Sequence, residues 1–313
     1  MISLFKMPSC SRVFLILVVS TLGLSTTAGR NENLESEEEL LSSASSSAKG
    51  YTLHNGFKIP TSTLSSFGSY PNPLQISDED RAGFHPVMYF PINPAPTRIL
   101  DLERQSVTEG MSTPEERKRA LKESRWWTRI IRLLTRTKYE RGHWAIGRYD
   151  ENRAGLYGTE MFEDTEYSID GYAGKRTLHL GVDLMAPVGE PVFAFSDGVV
   201  HSSGYNPELG DYGNVIVIEH RIPGKDQPIY ALYGHMDKSV TKKRTGKVIK
   251  KGEIVGRTGD IHENGGWIAP HVHFQLSMFP PETHDMPGAA SLEDRPRALV
   301  HYPDPRIILG EIF

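Results

Sequence analysis

Three short histidine motifs indicate metal chemistry in this chain of 313 residues. In the first, HLGVD, His179 and Asp183 are separated by four positions, with Gly181 between them. In a fully extended strand they would lie roughly 13 Å apart, too far to share one ion. We expect a bend at Gly181 to bring the two side chains together. A neutral imidazole and a carboxylate on one centre suit zinc.

The second motif, HVHFQL, begins at His271. Strand alternation places His271 and His273 on one face, roughly 7 Å apart, where one ring could bind a metal and the other its bound water. The other face of this strand, which we expect to pack in the core, carries Val272, Phe274, Leu276 and Met278.

The third motif is YGHM, in which His235 ends a strand and is predicted to share a face with Ala231 and Tyr233. A single histidine would carry little weight, because most histidines are ordinary surface or core residues. The three motifs in this order, each on its own β segment, are a far more specific signal of such chemistry.

Composition excludes several other kinds of protein. The formal net charge of −4 excludes a basic nucleic-acid reader, which would need an excess of Lys and Arg. The single cysteine, Cys10, cannot form an internal disulfide. No serine nucleophile motif is present, so we do not expect covalent catalysis.

The N-terminus has the features of a secretory signal peptide over residues 1–28: basic residues, a short apolar run and then small residues. An uncleaved anchor is the alternative. The acidic and Ser-rich residues 29–50 are predicted to be a linker. Because no other segment reaches 18 apolar residues, we expect no stable transmembrane segment after cleavage and a secreted protein, or a periplasmic one in a bacterium.

Residues 51–139 are predicted to form an irregular N-terminal region that ends in an amphipathic helix over about 114–137. Thr113 can cap this helix, and Pro114 suits its first position. Its Trp- and Arg-rich sequence is consistent with contact to an anionic membrane or cell-wall polymer, or with docking on the domain that follows. The sequence leaves open whether this region is an inhibitory prosegment or a binding element.

From about residue 140 the chain has short alternating segments broken by Gly, Asn, Asp and Pro, which predicts a mainly β, mostly antiparallel domain. The loop 260–269 either lines the site, with Trp267 or His262 contacting substrate, or is a plain surface loop. Near the C-terminus, residues 307–309 are predicted to form a last strand.

Five segments resemble the M23 family of zinc metallopeptidases, the lysostaphin and LytM type of peptidoglycan endopeptidase. They are HLGVD (179–183), YGNVIVIEH (212–220), YGHM (233–236), VIKKGEIVGRTG (248–259) and PHVHFQL (270–276). The resemblance spans about residues 170–280. It implies a LytM-like antiparallel β-sheet with a duplicated hybrid motif, within a domain that we place at 140–313.

The resemblance also implies a role for each motif residue. His179, Asp183 and His273 would bind one Zn²⁺ per chain, and His271 would be the general base acting on the metal-bound water. His235 would hold or polarise the same water and the tetrahedral oxyanion. Three protein ligands leave one tetrahedral position open, as catalytic zinc sites require.

The sequence therefore predicts an exported zinc-dependent endopeptidase that acts on peptidoglycan stem peptides or cross-bridges, or on another peptide. A non-catalytic cell-wall binding or hydrolase-activating module is the alternative, although such modules typically lack one or more of the five residues. VIKKGEIVG also resembles half of a biotinyl carrier motif, but no exposed Lys at a hairpin tip accompanies it. A purely structural zinc site would normally have four protein ligands.

Overall fold

The computed structural model describes residues 51–54, 57–60, 72–90, 98–102, 144–157, 160–163, 169–172 and 174–313. The predicted signal peptide, linker and amphipathic helix lie outside these residues and remain predictions. Among the described residues, no helix has the length and apolar character needed to cross a membrane.

The described residues form mainly β-structure, as the sequence predicted. The strands are β1 (Tyr51–His54), β2 (Phe57–Pro60), β3 (Arg98–Ile99), β4 (Ala145–Gly147), β5 (Leu178–His179), β6 (Val182–Met185), β7 (Pro191–Phe193), β8 (Gly198–Asn206), β9 (Gly213–His220), β10 (Ile229–Met236), β11 (Val248–Ile249), β12 (Ile254–Arg257), β13 (His271–Ser277) and β14 (Ala289–Ala290). The α-helices are α1 (Asp78–Ala82), α2 (Arg295–His301) and α3 (Arg306–Leu309).

One eight-stranded sheet positions most of the predicted site residues. Its strand order is β11-β8-β9-β10-β13-β6-β4-β3, with every pair antiparallel except β3 and β4. Strands β12 and β7 form a separate two-stranded sheet, as do β14 and β5. The strand that carries the HVH motif, β13, therefore lies between β10, with the YGHM motif, and β6, with Asp183.

The core face predicted for β13 is confirmed. Val272, Phe274 and Leu276 are fully buried in the main hydrophobic cluster, against which Met278 packs. Leu74 and other apolar side chains of the segment 72–90 lie in the same cluster, so part of the N-terminal region packs on the β domain. The domain boundary placed at residue 140 remains a prediction.

The predicted C-terminal strand is wrong, because residues 307–309 lie in the helix α3. Pro305 precedes this helix with a φ of −58°, close to helical geometry, and its carbonyl accepts from the amides of Ile308 and Leu309. Gly310, with a φ of 78°, ends the helix. The apolar side chains of Ile307 and Ile308 nevertheless pack in the core.

Candidate active site

Strand register brings the first two histidine motifs together. In the antiparallel pair of β13 and β6, His273 lies directly opposite Asp183. His179 comes from β5, which pairs with β14 in a different sheet. The chain therefore changes sheets between His179 and Val182, and this change folds the HLGVD motif around the ring of His273.

Gly181 is needed at this point because of space. A Cβ atom built on Gly181 would lie 2.5 Å from both Cε1 and Nε2 of His273. The φ angle of Gly181 is not positive, so a left-handed backbone is not the reason for a glycine here. The expected bend is present, and the absence of a side chain allows the His273 ring to approach it.

Three acceptor atoms form a small triangle at the centre of the site. His179 Nε2 lies 2.9 Å from His273 Nδ1, and each of these nitrogens lies 3.2 Å from Asp183 Oδ1. Two atoms bound to one tetrahedral zinc with bonds of 2.0–2.2 Å are about 3.3–3.6 Å apart. The triangle is thus only slightly smaller than one face of a zinc tetrahedron, and all three residues are buried.

In each ring, the hydrogen bond of the outer nitrogen shows that this nitrogen carries the hydrogen. The inner nitrogen of the ring then presents a lone pair to the triangle. His179 Nδ1 lies 2.7 Å from the carbonyl oxygen of Arg148, which can only accept, so Nδ1 donates. His273 Nε2 lies 2.8 Å from Gln275 Oε1, and the Gln275 amide nitrogen donates to the Pro287 carbonyl, which fixes that amide's orientation. The inner nitrogens and the Asp183 carboxylate are then all acceptors, a donor set that fits a zinc ion and is repulsive without a cation.

The other two predicted residues face the same cavity. The rings of His235 and His271 have centres 4.3 Å apart, and His271 Nε2 lies 4.0 Å from Asp183 Oδ1. The cavity has a volume of about 670 Å³ and is lined by all five predicted site residues. The structure therefore places them together, with His235 and His271 outside the triangle of possible ligands.

His235 does not share a face with Ala231 and Tyr233, so that prediction is wrong. A register shift between Tyr233 and Met236 interrupts the pairing of β10 with β9, and His235 has a left-handed φ of 62°. Ala231 and Tyr233 pack in the core, whereas the bulge turns His235 towards the cavity. A non-glycine residue held in this conformation is uncommon and is often found at functional sites.

Backbone carbonyls also fix the tautomers of these two histidines. His235 Nδ1 donates to the Asn264 carbonyl at 2.9 Å, and His271 Nδ1 donates to the Ala269 carbonyl at 2.8 Å. In both neutral rings Nε2 is therefore an acceptor. This arrangement suits proton acceptance and the orientation of water, whereas donation to an oxyanion from His235 would require its protonated form.

Burial keeps these histidines neutral. It lowers the pKa of His179 to about 4, with a further contribution from the Arg153 charge, and it also lowers the pKa values of His271 and His235. Burial alone would raise the pKa of Asp183, but His179 and the Arg153 guanidinium outweigh it and hold the carboxyl well below its usual range. Neutral imidazoles beside a carboxylate are the protonation states that metal binding requires.

A buried arginine that the sequence analysis missed holds the second oxygen of Asp183. Arg153 Nη1 donates to Asp183 Oδ2 at 2.6 Å, and its Nε donates to Glu151 Oε2 at 2.9 Å. Arg153 is fully buried, and Glu151 also accepts from Arg148 and from the backbone amide of Leu102. The chain of charges orients Asp183 so that Oδ1 faces the two ligand histidines.

We expect the Arg153→Met variant to destabilise the protein by about 3–5 kcal/mol, because Asp183 would become a buried charge without its arginine partner and Glu151, of its two arginine partners, would keep Arg148. The free energy of unfolding from urea titration measures this loss. Arg221→Met is the matched control: the Arg221 side chain is 74% exposed beside Glu219, so its loss should cost less than about 1 kcal/mol. Equal effects of the two variants would contradict the structural role of Arg153.

We expect Gln275→Leu to weaken zinc binding by about 10- to 100-fold, because the hydrogen bond that orients the His273 ring is lost. Competition with a chelator of known affinity measures the change. Ser277→Ala, on the same face of β13 but with a hydroxyl that bonds to the Phe279 backbone, serves as the control and should bind zinc like the unmodified protein. Unchanged zinc affinity in Gln275→Leu would show that this amide does not support the ligand.

The loop 260–269 contributes to the site through Trp267. This side chain is buried, lines the cavity, and has its ring centre 5.8 Å from that of His235 and 5.7 Å from that of His271. His262 is not among the residues that line the cavity. Of the two residues considered from the sequence, Trp267 is therefore the one placed to contact a substrate.

Comparisons with known proteins match the part of the chain that carries this site. Residues 177–283 match the family model described as peptidase family M23. The peptidoglycan DD-endopeptidase ShyC of Vibrio cholerae is 32% identical over 123 residues, which are 38% of this chain and 25% of ShyC. The chain thus spans about a quarter of the length of that relative.

Two solved structures also match. The catalytic domain of the prophage-encoded M23 protein EnpA from Enterococcus faecalis, solved as a point mutant, is 30% identical; the match covers 35% of this chain and 75% of that one, with a TM-score of 0.28. A zinc-containing peptidase from Vibrio cholerae is 30% identical, covering 33% of this chain and 28% of that one, with a TM-score of 0.27. The family model thus identifies residues 177–283 of this chain as a peptidase family M23 domain.

Proposed function

We propose that this protein is an exported, zinc-dependent endopeptidase that hydrolyses peptide bonds in peptidoglycan stem peptides or cross-bridges. The observation that carries the proposal is the triangle of His179 Nε2, Asp183 Oδ1 and His273 Nδ1, three acceptors held within 3.2 Å of one another. A bound cation would relieve their mutual repulsion. Two further histidines with acceptor nitrogens face the same cavity.

Zinc held by these three atoms would polarise the scissile carbonyl and bring the pKa of a water molecule to about 7. His271 Nε2 would accept a proton from the attacking water, because its Nδ1 hydrogen is already committed to Ala269. His235 Nε2 would accept the water's other hydrogen and orient it. The protonated His271 would then return its proton to the leaving amine.

The surrounding residues would support these steps. The Arg153 and Glu151 pair holds Asp183 with one oxygen free to face the ligand histidines. Trp267 packs edge-on against both His235 and His271 and would limit the access of bulk water to them. A dry, ordered site strengthens each electrostatic interaction within it.

Peptidoglycan as the substrate is supported by the relative ShyC, which is named a peptidoglycan DD-endopeptidase. Export follows from the signal peptide predicted over residues 1–28, and it would bring the protein to cell-wall material. The alternative of a binding or activating module is less well supported, because all five predicted site residues are present and share one cavity.

Digestion of isolated peptidoglycan tests this function. Purified protein is incubated with the polymer, with and without a zinc chelator, and soluble fragments are analysed by mass spectrometry. We expect new peptide ends that vanish with chelator and return when zinc is restored. Release that is insensitive to the chelator would contradict the zinc mechanism, and a protein that binds peptidoglycan without release or bound zinc would support the binding module.

A further inference from the structure

Residues 98–102 lie outside the part of the chain that matches the family model, and they contact the groups that orient two proposed zinc ligands. Arg98 and Ile99 form β3, which pairs with β4 at one edge of the main sheet. None of residues 98–102 lines the cavity. Any effect they have on the site must therefore pass through the residues that they contact. They are called the edge segment below.

Backbone hydrogen bonds and apolar packing fix the edge segment on β4. The amide of Leu100 donates to the carbonyl of Ile146 at 2.9 Å. The side chains of Leu100 and Leu102 are buried in one hydrophobic cluster. On the other side of β4 lies β6, where Asp183 is directly opposite Gly147. One strand therefore separates the edge segment from a proposed zinc ligand.

Two further contacts of the edge segment reach a pair of charged residues. The Leu102 amide donates to Glu151 Oε1 at 2.8 Å. Asp101 Oδ1 accepts from Arg148 Nη2 at 3.1 Å, and the same nitrogen donates to Glu151 Oε1 at 2.9 Å. Because Leu102 and Glu151 are each only 4% exposed, the loss of their contact would leave buried polar atoms without a partner. The edge segment is thus closely tied to both charged residues.

The same two charged residues orient the proposed ligands. Glu151 Oε2 accepts from Arg153, which in turn donates to Asp183 Oδ2. The Arg148 carbonyl accepts from His179 Nδ1 at 2.7 Å and from Arg153 Nη2 at 3.3 Å. Two side chains therefore connect the edge segment to Asp183, and a single residue connects it to His179.

We propose that the edge segment is a positioning element of the zinc site, so that its docking on β4 and the binding of zinc stabilise each other. Its positioning groups are the Asp101 carboxylate and the Leu102 amide, which act through Arg148 and Glu151 and do not touch the ion. The coupling is reciprocal, because the factor by which docking raises the zinc affinity is also the factor by which zinc favours docking. This inference rests on the proposed function and assigns to the edge segment the regulation of its metal site.

A purely structural role is the alternative. The edge segment would then cover the edge of the sheet and bury two leucines without any influence on the ligands. Loss of one of its contacts would lower the stability of the protein in both cases. Only the positioning role also predicts a lower zinc affinity of the folded protein, and only this role predicts that zinc stabilises the edge segment more than other edges of the sheet.

Hydrogen exchange with and without zinc tests the coupling in the unmodified protein. Exchange is followed by mass spectrometry on short peptides that contain the amides of Leu100 and Leu102. We expect zinc to slow their exchange by about 5- to 150-fold, the usual range of coupling between two sites. The control is the amide of Gly246, which donates to the Val200 carbonyl next to β11, at the opposite edge of the same sheet. Zinc should slow its exchange by less than about twofold.

The Asp101→Asn variant tests the coupling in the other direction. We expect its zinc affinity, measured by competition with a chelator, to fall by about two- to fivefold, because a partly exposed ion pair is weak. Glu253→Gln is the matched control: the Glu253 side chain is 35% exposed and pairs with Lys247, as the 40% exposed Asp101 pairs with Arg148. Without zinc, both variants should lose a similar small amount of stability to urea. Only Asp101→Asn should lose zinc affinity.

The two readouts separate this inference from the proposed function. Equal slowing at Leu102 and Gly246, or a zinc affinity that falls no more in Asp101→Asn than in Glu253→Gln, would overturn the coupling and leave the proposed zinc site intact. Selective slowing in residues 98–102 of a protein that releases no peptide ends from peptidoglycan would support the coupling and contradict the peptidase. A protein that binds no zinc would overturn both.

Discussion

The His179→Ala variant is expected to lose peptidase activity by at least about 10⁴-fold in kcat/KM. His179 supplies one of three atoms in a triangle with sides of 2.9–3.2 Å, and two ligands alone hold zinc poorly. Without the ion, the scissile carbonyl is not polarised and the attacking water keeps its usual pKa. The measurement is kcat/KM on a defined cross-linked peptide, together with zinc content by mass spectrometry.

The matched control for this variant is His201→Ala. His201 is a histidine of β8 whose Nε2 contacts the Pro281 carbonyl, and it does not line the cavity. Its loss should leave zinc content at one ion per chain and kcat within about twofold, since it makes no contact with the reacting groups. A His179→Ala variant that keeps both its zinc and its turnover would contradict the ligand assignment.

The His271→Ala variant is expected to keep one zinc per chain and to lose about 10²- to 10⁴-fold in kcat, the usual contribution of a general base. His271 Nε2 lies 4.0 Å from Asp183 Oδ1, near the triangle but not part of it. Its Nδ1 donates to Ala269, which leaves Nε2 as the acceptor. Zinc content and steady-state rates on the same preparation give the comparison.

Zinc content and turnover, measured together, distinguish a general base from a zinc ligand at His271. A variant that loses its zinc would place His271 among the ligands, and one with nearly normal turnover would remove its role as the base. Unfolding in urea checks that the variant is folded, because the His271 ring also packs against Trp267.

The strand pattern allowed a large part of this site to be predicted from sequence. Alternation along β13 correctly separated His271 and His273 from the core side chains of the opposite face. The same alternation places Gln275 on the histidine face, so its contact with His273 could have been predicted as well. Period-two patterns work here because β13 pairs regularly with both of its neighbours.

The sequence failed where regular pairing ends. The face of His235 was predicted wrongly because a bulge and a left-handed φ interrupt β10, although Gly234, a glycine inside the strand, is a residue type that often marks a bulge. Arg153 lies 30 positions before Asp183, and only the folded chain brings their side chains to 2.6 Å. The C-terminal helix α3 was missed because a short apolar run fits a strand equally well, although Pro305 and Gly310 mark its ends.

The hydrogen-bond partners of the ligands explain why the family motif alone does not define the site. The metal-facing atoms are set by the Arg148 carbonyl and by Arg153, which lie outside the quoted motifs, and by Gln275, which follows the two histidines of PHVHFQL. Each partner removes one alternative orientation of a ligand. We therefore expect substitutions of Gln275 and Arg153 to alter metal affinity even though neither side chain would touch the ion, whereas the backbone carbonyl of Arg148 is kept in any substitution.

Anomalous X-ray diffraction at the zinc edge, on crystals of the zinc-loaded protein, tests the central claim most directly. We predict one strong peak per chain, with bonds of about 2.0–2.2 Å to His179 Nε2, Asp183 Oδ1 and His273 Nδ1. We also predict that His235 and His271 lie outside the bonding distance. A peak at another place in the chain, or one bound by His271 instead of His273, would contradict the account.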